Sequence, residues 1–416
     1  MSKKITFDYW KHLYADRIAN MYSSEIRDLL ALSARPDIIS FAGGNPEVKS
    51  LNFQKLEKYI KRALTIDGDI SLQYSSSEGY YPFKTKLREV MKLENIEADE
   101  EDMVITTGGQ QALDLLAKVF INPGDLIIVE APSYAGAINS FKSYQPQIIG
   151  IPVDSKGIKA DLVEQKLQQL QKDNKAVKFI YLVPNFSNPS GVTLSLARRK
   201  KILSLAQQYN TVIIEDNPYG MLRYEGKPVP CIKHLDQEQD DMHVIYMSTL
   251  SKLLAPGFRI GWVVAPHLII QKLTLGVQAA DLCTSTFSQR IAFEYFSDPG
   301  WIDNIDRFKI IYSERRNAML DTLSETFPPG CSWSKPEGGF FIWLKLPSYL
   351  NTKELLADAV RGKVAYVPGS GFYADGRGKN EARLAFCSEN PENIVKGIKI
   401  LANIIKDKIK LYKSFN

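Results

Sequence analysis

Cysteine is scarce in this sequence, and its placement excludes the commonest structural uses of the residue. Only four cysteines occur in 416 residues, and they lie far apart without forming a CxxC pair. Structural zinc sites need several closely spaced ligands, and disulfide frameworks are typical of small secreted proteins. We therefore expect no metal site, reduced thiols and a cytoplasmic location. The four positions are Cys231, Cys283, Cys331 and Cys387.

Long apolar runs and dense basic blocks are also absent. No apolar segment approaches the length of about 20 residues that a membrane helix needs. The N-terminus, Met-Ser-Lys-Lys, lacks the apolar core of a signal peptide. The net charge is +5, but the lysines and arginines are scattered instead of forming a basic stripe with interleaved aromatic residues. We expect a protein that binds neither membranes nor nucleic acids.

What is present is an ordinary globular composition with a regular alternation of elements. Hydrophobic residues make up 44% and charged residues 24% of a chain long enough for two domains. From residue 103 onwards, apolar strand patterns alternate with amphipathic helix patterns, which predicts a parallel sheet covered by helices on both faces. The predicted strands cover residues 103–107, 126–130, 147–153, 177–183, 211–214 and 243–247.

The chain changes character after this α/β region. Helical patterns cover residues 267–325, and mixed strand and helix patterns follow to the end. We predict a large domain over 61–314 and a smaller α+β domain over 315–416. The N-terminal segment, 1–60, precedes the parallel sheet without belonging to it, so we expect it to pack with the small domain.

One loop, Ser248 to Gly261, combines a lysine with phosphate-binding side chains. Lys252 follows the predicted strand 243–247, and Arg259 comes seven positions later after a turn. A lysine beside a second fixed cation has a lowered pKa, so its neutral amine can attack a carbonyl. Hydroxyls and an arginine in one place also suit a phosphate monoester. The alternative is that Lys252 is a surface lysine on a solvated loop.

Polar side chains follow the other predicted strands as well. Because the carboxyl ends of parallel strands share one edge of a sheet, these side chains should line one crevice. Taken singly, Asp216 can be a turn residue, Asn188 ordinary turn chemistry before a proline, and Tyr134 core packing. Their joint occurrence in this order favours a single cofactor site. The strand-end residues are Gly109, Gln110, Tyr134, Asn188, Asp216, Tyr219, Thr249, Ser251 and Lys252.

This order of motifs resembles the fold-type I, class I and II aminotransferases, and the resemblance extends from about Arg17 to the last helix. Within that family the chain is most similar to the 2-aminoadipate aminotransferases and kynurenine aminotransferase II. The resemblance implies an α/β fold with a mainly parallel, seven-stranded type of large sheet, and pyridoxal 5'-phosphate as cofactor. The segments that carry it are SEIRDLL, ISFAGGNPE, LQYSSSEGYYPF, ITTGGQQALDLL, EAPSYAGAI, NFSNPSG, IIEDNPYG, STLSKLLAPGFRIGW, PEGGFFIW, YVPGSGFY and RLAF.

The resemblance also implies roles for the strand-end residues. Lys252 bonds the cofactor as a Schiff base and shuttles a proton, while Asp216 pairs with the ring nitrogen. Asn188 and Tyr219 hold the phenolic oxygen, and Tyr134 stacks on the ring. The implied phosphate ligands are Gly109, Gln110, Thr249, Ser251 and Arg259.

Substrate contacts follow from the same resemblance. Arg383 would clamp the substrate α-carboxylate, helped by Asn188 and by the backbone of Gly44. Arg27 matches an N-terminal arginine that meets an acidic substrate side chain; the pattern alone also fits a solvent-facing charge. Tyr74 would reach the cofactor phosphate of a neighbouring subunit, which implies a homodimer with shared sites and amino-acid and 2-oxo-acid substrates.

The chain departs from the family pattern at several positions. Glycine at 109 and threonine at 249 replace frequent serines, while Asn45 and Ser187 replace a frequent leucine and glutamine near the substrate. The leading hypothesis is transfer of an amino group from 2-aminoadipate or an aromatic or aliphatic L-amino acid to 2-oxoglutarate by a ping-pong mechanism. A β-lyase or a decarboxylase on the same fold is the nearest alternative. A cofactor-sensing transcription regulator would need an N-terminal winged helix, for which the segment before residue 38 leaves no room.

Overall fold

Short runs of aliphatic residues form the strands of the central sheet in the computed structural model, which describes residues 9–19, 35–239 and 242–415. Central strands such as Leu126–Ala131 are buried along their whole length. Such runs are typical of parallel sheets that are covered on both faces. The strands are β1 Ile39–Ser40, β2 Met103–Thr106, β3 Leu126–Ala131, β4 Gln147–Asp154, β5 Gly157–Ile158, β6 Val177–Leu182, β7 Val212–Asp216, β8 Val244–Thr249, β9 Gly261–Val264, β10 Ser332–Trp333, β11 Phe341–Lys345, β12 Val364–Ala365, β13 Val367–Pro368 and β14 Glu381–Ala385.

The large sheet has the strand order β2-β9-β8-β7-β6-β3-β4-β5. β9 runs antiparallel to both of its neighbours, and β5 runs antiparallel to β4, whereas the other pairs are parallel. The predicted α/β class with a mainly parallel large sheet is confirmed. Seven strands form its body, and the two-residue β5 adds an eighth. The sequence patterns did not predict β9, which follows directly on the Lys252 loop.

Helices cover both faces of this sheet. One face packs on Gly108–Phe120, Ala135–Lys142 and His267–Ala280, and the other on Ala160–Lys172 and Leu196–Gln208. The helices are Asp16–Ala19, Phe53–Thr65, Gly68–Ser71, Tyr81–Met91, Gly108–Phe120, Ala135–Lys142, Ala160–Lys172, Leu196–Gln208, Ile232–Gln237, His267–Ala280, Thr286–Ser297, Trp301–Thr326, Thr352–Arg361 and Pro391–Phe415. Among the described ranges, none of these helices is long and apolar enough to cross a membrane.

The C-terminal part contains a second sheet, which is antiparallel and has the order β10-β11-β14-β13. The N-terminal strand β1 pairs in parallel with β12 of this part. Phe41 continues that connection, since its N–H donates to Ala365 at 2.8 Å and its carbonyl accepts from Ala385 at 2.9 Å. The packing of the whole segment 1–60 with a small domain, and the boundaries at residues 60 and 314, stay predictions.

Candidate active site

Five strands that precede the predicted site residues end at one edge of the large sheet. β2, β3, β6, β7 and β8 all run in the same direction, because β9 is antiparallel to both β2 and β8. Asp216 is the last residue of β7, and Thr249 is the last residue of β8. The loops that follow these strands therefore form one crevice, as is usual for open α/β sheets.

Asp216 is a buried carboxylate that has a single side-chain donor in the part of the chain that the structure describes. The Tyr181 hydroxyl donates to its Oδ2 at 2.7 Å. Burial raises the pKa of Asp216 to about 7, and the Tyr181 hydrogen bond opposes that rise. A carboxylate held in an apolar site with unused acceptor capacity is suited to a cationic N–H partner.

Lys252 is half-buried and lies at the base of the same crevice. Its Nζ is 3.5 Å from the carbonyl oxygen of Gly44 and 5.5 Å from the centre of the Phe340 ring. Burial lowers the pKa of the amine to about 8, and the positive charges of Arg383 and Arg259 add to that effect. A substantial fraction of the amine is therefore neutral near pH 8, as a carbonyl nucleophile requires.

The N-terminus of helix Gly108–Phe120 faces the end of β8 and forms an anion cradle. Gly109 is the second residue of this helix, and a Cβ at its position would lie 3.9 Å from the Cβ of Thr249. The hydroxyls of Thr249 and Ser251 are 2.9 Å apart. The Arg259 guanidinium reaches the carbonyl of Thr107 at 3.4 Å. Backbone N–H groups, hydroxyls and an arginine at a helix N-terminus are suited to a phosphate.

Two glycines allow this close approach. Gly108 has φ of +76°, and a Cβ there would lie 2.6 Å from the Arg259 guanidinium. A Cβ at Gly261, in β9, would lie 2.7 Å from the Gly108 carbonyl carbon. Neither position was predicted as a site residue, although both belong to the motifs that carry the resemblance.

Gln110 and Tyr134 form one hydrogen-bonded unit at the side of the cradle. The Gln110 side-chain amide donates to the Gly136 carbonyl at 3.0 Å and to the Ser140 hydroxyl at 2.7 Å. Its oxygen accepts from the Tyr134 hydroxyl at 3.3 Å. The Gln110 side chain therefore binds Tyr134 and helix Ala135–Lys142. The group of Gln110 that can serve the anion cradle is its backbone N–H.

Tyr219 and Asn188 line the side of the crevice nearest the C-terminal part. Tyr219 is buried, and its ring makes edge contacts with Phe340 and Phe341 at 5.3 and 6.1 Å. Burial holds its pKa well above the usual value, so the hydroxyl stays protonated. Asn188 is also buried, and its Oδ1 accepts from Arg383 at 2.9 Å.

Arg383 is a buried cation without a carboxylate partner among the described residues. Besides Asn188, its guanidinium donates to the carbonyl of Ala42, and its buried Nε has no hydrogen-bond partner within the described ranges. The guanidinium lies 4.3 Å from the Phe341 ring centre and 5.0 Å from that of Phe372. Burial lowers its pKa to about 10. An unpaired arginine between two rings is prepared to bind an incoming carboxylate.

The remaining predicted residues lie at the margin of the crevice or beyond it. Gly44 lies against Phe341, since a Cβ there would be 2.8 Å from that ring. Tyr74 is 76% exposed, and its side chain makes no recorded contact within the described part of the chain. Arg27 lies outside the described residues.

Three aromatic residues at the site were missed by the sequence analysis. Phe341 and Phe372 flank Arg383, and Tyr181 donates to Asp216. Phe341 belongs to the PEGGFFIW segment, but its pattern there is that of a core strand. Tyr181 carried one available signal, a hydroxyl inside a mostly apolar strand beside the strand that ends in Asp216.

Taken together, these groups fit the donor set that pyridoxal phosphate requires. Lys252 offers an amine of lowered pKa, and Asp216 offers a buried carboxylate whose Oδ2 accepts from Tyr181. The helix N-terminus at Gly109 lies beside Thr249, as a phosphate site requires, and among the described residues nothing accepts a hydrogen bond from the buried Arg383 Nε.

Comparisons with known proteins give the same result. The family described as "Aminotransferase class I and II" matches residues 36–401. The chain is 46% identical to "Aromatic-amino-acid aminotransferase 1" of Thermococcus litoralis, over 97% of this chain and 96% of that protein. It is 34% identical to "2-aminoadipate transaminase" of Thermus thermophilus, over 97% and 98%.

A solved structure, Pyrococcus horikoshii kynurenine aminotransferase in complex with PMP, superposes with a TM-score of 0.91 at 42% identity, covering 95% of this chain and 98% of that one. The predicted family, cofactor and transaminase class are thereby confirmed. The protein belongs to the class I and II aminotransferases and is a pyridoxal-phosphate-dependent transaminase of fold type I.

Proposed function

We propose that this enzyme transfers the amino group of an L-amino acid to 2-oxoglutarate in a ping-pong reaction, with 2-aminoadipate and aromatic or aliphatic amino acids as donors. The observation that carries the proposal is Arg383. A buried guanidinium without a carboxylate partner among the described residues, beside Lys252 in one crevice, suits a substrate that has an α-carboxylate next to its amine.

When bound, the cofactor supplies the electron sink that allows the substrate Cα to lose a proton. The chain supplies the groups around it. Lys252 Nζ would accept the proton that the substrate Cα loses and would serve as its carrier, a task that needs an amine with a pKa near the working pH. Asp216 holds the proton on the ring nitrogen. Asn188 and Tyr219 donate to the phenolic oxygen.

Other residues position the reactants. Tyr134, held by Gln110, packs on the cofactor ring. The backbone N–H groups of Gly109 and Gln110 hold the phosphate together with the side chains of Thr249, Ser251 and Arg259. Arg383 and Asn188 bind the substrate α-carboxylate, and the Gly44 backbone closes the site above Lys252.

Donor choice is proposed from the relatives and from Arg27. One relative is named as a 2-aminoadipate transaminase and another as an aromatic-amino-acid aminotransferase. We propose that Arg27 binds the distal carboxylate of acidic substrates. Arg27→Ala should then raise KM for 2-aminoadipate and 2-oxoglutarate by roughly ten- to a hundredfold, the value of one charge-assisted contact, with little change for leucine.

We also propose a cytoplasmic homodimer in which Tyr74 reaches the cofactor phosphate of the partner subunit. The support is the exposure of Tyr74 in a single chain, together with that of Leu72 at 73% and Tyr81 at 63%. Apolar side chains that are exposed in one patch commonly mark an interface. Four unpaired cysteines suit the reducing cytoplasm.

Half-reaction spectra of the cofactor-loaded enzyme test the proposal. Each amino acid is added without an oxo acid, and the cofactor absorbance is followed. Acidic and aromatic donors should each convert one equivalent of cofactor, and 2-oxoglutarate should restore the starting spectrum. Steady release of ammonia and the free Cβ leaving group, from a donor that carries such a group and without any oxo acid, would instead show a β-lyase.

A further inference from the structure

We infer that Tyr181 is a positioning residue for the reaction: its hydroxyl orients the Asp216 carboxylate and strengthens the bond of that carboxylate to the cofactor ring nitrogen. The inference rests on the proposed role of Asp216 and adds a residue to that site. Tyr181 lies in β6, which contributes no other side chain to the predicted cofactor contacts.

The sheet fixes the geometry of this pair. Tyr181 lies opposite Ile214 in the parallel pairing of β6 and β7. Side chains alternate along a strand, so Asp216 emerges on the same face as Ile214, two residues nearer the crevice. The Tyr181 hydroxyl reaches forward to Asp216 Oδ2 at 2.7 Å. The donor and the acceptor of this hydrogen bond therefore belong to two adjacent, paired strands of the sheet.

The tyrosine ring is itself held in place. Tyr181 is fully buried, and its ring makes an edge contact with Phe141 at 5.3 Å and 80°. Burial, with Asp216 as the next cause, holds the pKa of Tyr181 well above the usual value. The hydroxyl remains protonated over the working pH range, so it is a permanent donor to the carboxylate.

Within residues 9–19, 35–239 and 242–415, this hydroxyl is the one group found to favour the charged form of Asp216. Burial raises the pKa of Asp216, and the Tyr181 hydrogen bond lowers it. The other titratable groups that interact with Asp216 are Glu130, Tyr134 and Tyr219, none of which is a cation. In a buried site, a lost donor leaves the acceptor's charge uncompensated.

A purely structural role does not require the hydroxyl. Phenylalanine would keep the ring contact with Phe141 and would fill the same apolar volume. The buried hydroxyl matters because Asp216 must be ionised and correctly oriented to accept the hydrogen bond from the ring N–H. Tyr181→Phe should therefore weaken the hold on the ring nitrogen without disturbing the phosphate cradle.

Cofactor binding by the purified apoenzyme tests this. Wild type and Tyr181→Phe are titrated with pyridoxal phosphate and with its 1-deaza analogue, in which carbon replaces the ring nitrogen. Loss of one charge-assisted donor should weaken pyridoxal phosphate binding roughly tenfold to a hundredfold in the variant. Affinity for the deaza analogue should change by less than about twofold, because that ligand has no ring nitrogen for Asp216 to hold.

Two further variants provide controls. Tyr366→Phe removes another buried hydroxyl, which donates to the Thr352 carbonyl at 2.6 Å in the C-terminal part. It should leave both affinities unchanged. Tyr181→Phe added to Asp216→Asn should cause no further loss of pyridoxal phosphate affinity, because the tyrosine acts through the carboxylate.

The outcomes separate this inference from the proposed function. An equal loss of affinity for both ligands, or a full additional loss in the Asp216→Asn background, would overturn the role of Tyr181 alone. Failure of the wild type to prefer pyridoxal phosphate over the deaza analogue would overturn the role of Asp216. If Tyr181→Phe does not fold, fluorinated tyrosines at 181 retain the shape. Affinity for pyridoxal phosphate should then increase with the acidity of the phenol at 181. An affinity that does not change with this acidity would also overturn the inference.

Discussion

Arg383 and Asn188 are 195 residues apart in the chain, and a hydrogen bond of 2.9 Å joins the guanidinium to the amide oxygen. The bond connects the antiparallel sheet of the C-terminal part, through β14, to the loop after β6 of the large sheet. One substrate carboxylate at Arg383 would therefore contact both parts of the protein. This relationship supports the following prediction.

Arg383→Ala should impair every amino donor alike. The α-carboxylate is common to all donors, and one bidentate contact is worth roughly ten- to a hundredfold in binding. KM values for 2-aminoadipate, leucine and phenylalanine check this. Arg377→Ala is the matched control, since Arg377 is exposed and pairs with Asp375 at 3.2 Å. A loss confined to acidic donors would assign Arg383 to the side chain instead.

Cofactor capture by the apoenzyme should depend on the protonation of Lys252. Burial lowers the pKa of this amine to about 8, so the neutral nucleophile is present above that pH and is lost below it. The rate of capture should rise between pH 7 and 9 and then level off. Lys252→Ala should show no borohydride-reducible, protein-linked chromophore, whereas Lys142→Ala should retain it. A reducible chromophore in Lys252→Ala would identify another lysine as the anchor.

Asp216→Asn should stabilise the apoenzyme at alkaline pH and destabilise the loaded enzyme. The folded pKa of Asp216 is raised from 3.8 to about 7, so the folded state binds more protons than the unfolded state between these values. The contribution of this residue to stability is therefore greatest below pH 3.8 and is lost as pH rises to about 7. The melting temperatures of both proteins at pH 6 and 8.5, with and without cofactor, check this. A wild-type apoenzyme that is more stable than the variant at pH 8.5 contradicts the prediction.

Tyr74→Phe mixed with Lys252→Ala should regain activity if sites are shared between subunits. Each variant alone carries a damaged site. In the mixed dimer, both changes fall on one site, and the other site is intact. Activity after verified subunit exchange measures the effect, and a mixture of two Lys252→Ala preparations is the blank. No recovery would place Tyr74 in the site of its own subunit.

Gly109→Ser should strengthen cofactor retention. A Cβ at 109 meets nothing nearer than 3.6 Å, so the hydroxyl can be added to the cradle without displacement. A hydroxyl bonded to a phosphate is worth roughly 1.5–3 kcal/mol at most, and we expect a several-fold slower release of cofactor. Gly108→Ser is the contrasting variant, because its φ of +76° and the 2.6 Å approach to Arg259 forbid a side chain. It should accelerate release.

Many of the residues that line the crevice could be predicted from local sequence. A parallel sheet brings the ends of its strands to one edge, so residues that follow strands converge wherever the strands are correctly identified. Thr249, Asp216, Asn188 and Gly109 were placed in this way. The Lys252 loop was readable because its hydroxyls, turn and arginine are contiguous in sequence.

Tertiary structure decided the features that depend on strand pairing and on the burial of side chains. The antiparallel direction of β9 follows from its two neighbours and not from its four residues. The sequence predicts that Gln110 binds phosphate, but the fold engages its side chain with Ser140 and Tyr134. Arg383 is buried against the rings of Phe341 and Phe372, and this environment cannot be read from the residues next to it in sequence.

Tyr181 shows the same division most clearly. The sequence determined that a tyrosine lies in a mostly apolar strand, and that pattern by itself predicts only core packing. The register of β6 against β7 placed its hydroxyl 2.7 Å from Asp216. Burial then made that contact important, because a buried carboxylate has no water to replace a lost donor. The sequence by itself therefore determined which functional groups are present and which strands they follow. The packing of the sheet decided which of these groups are in contact.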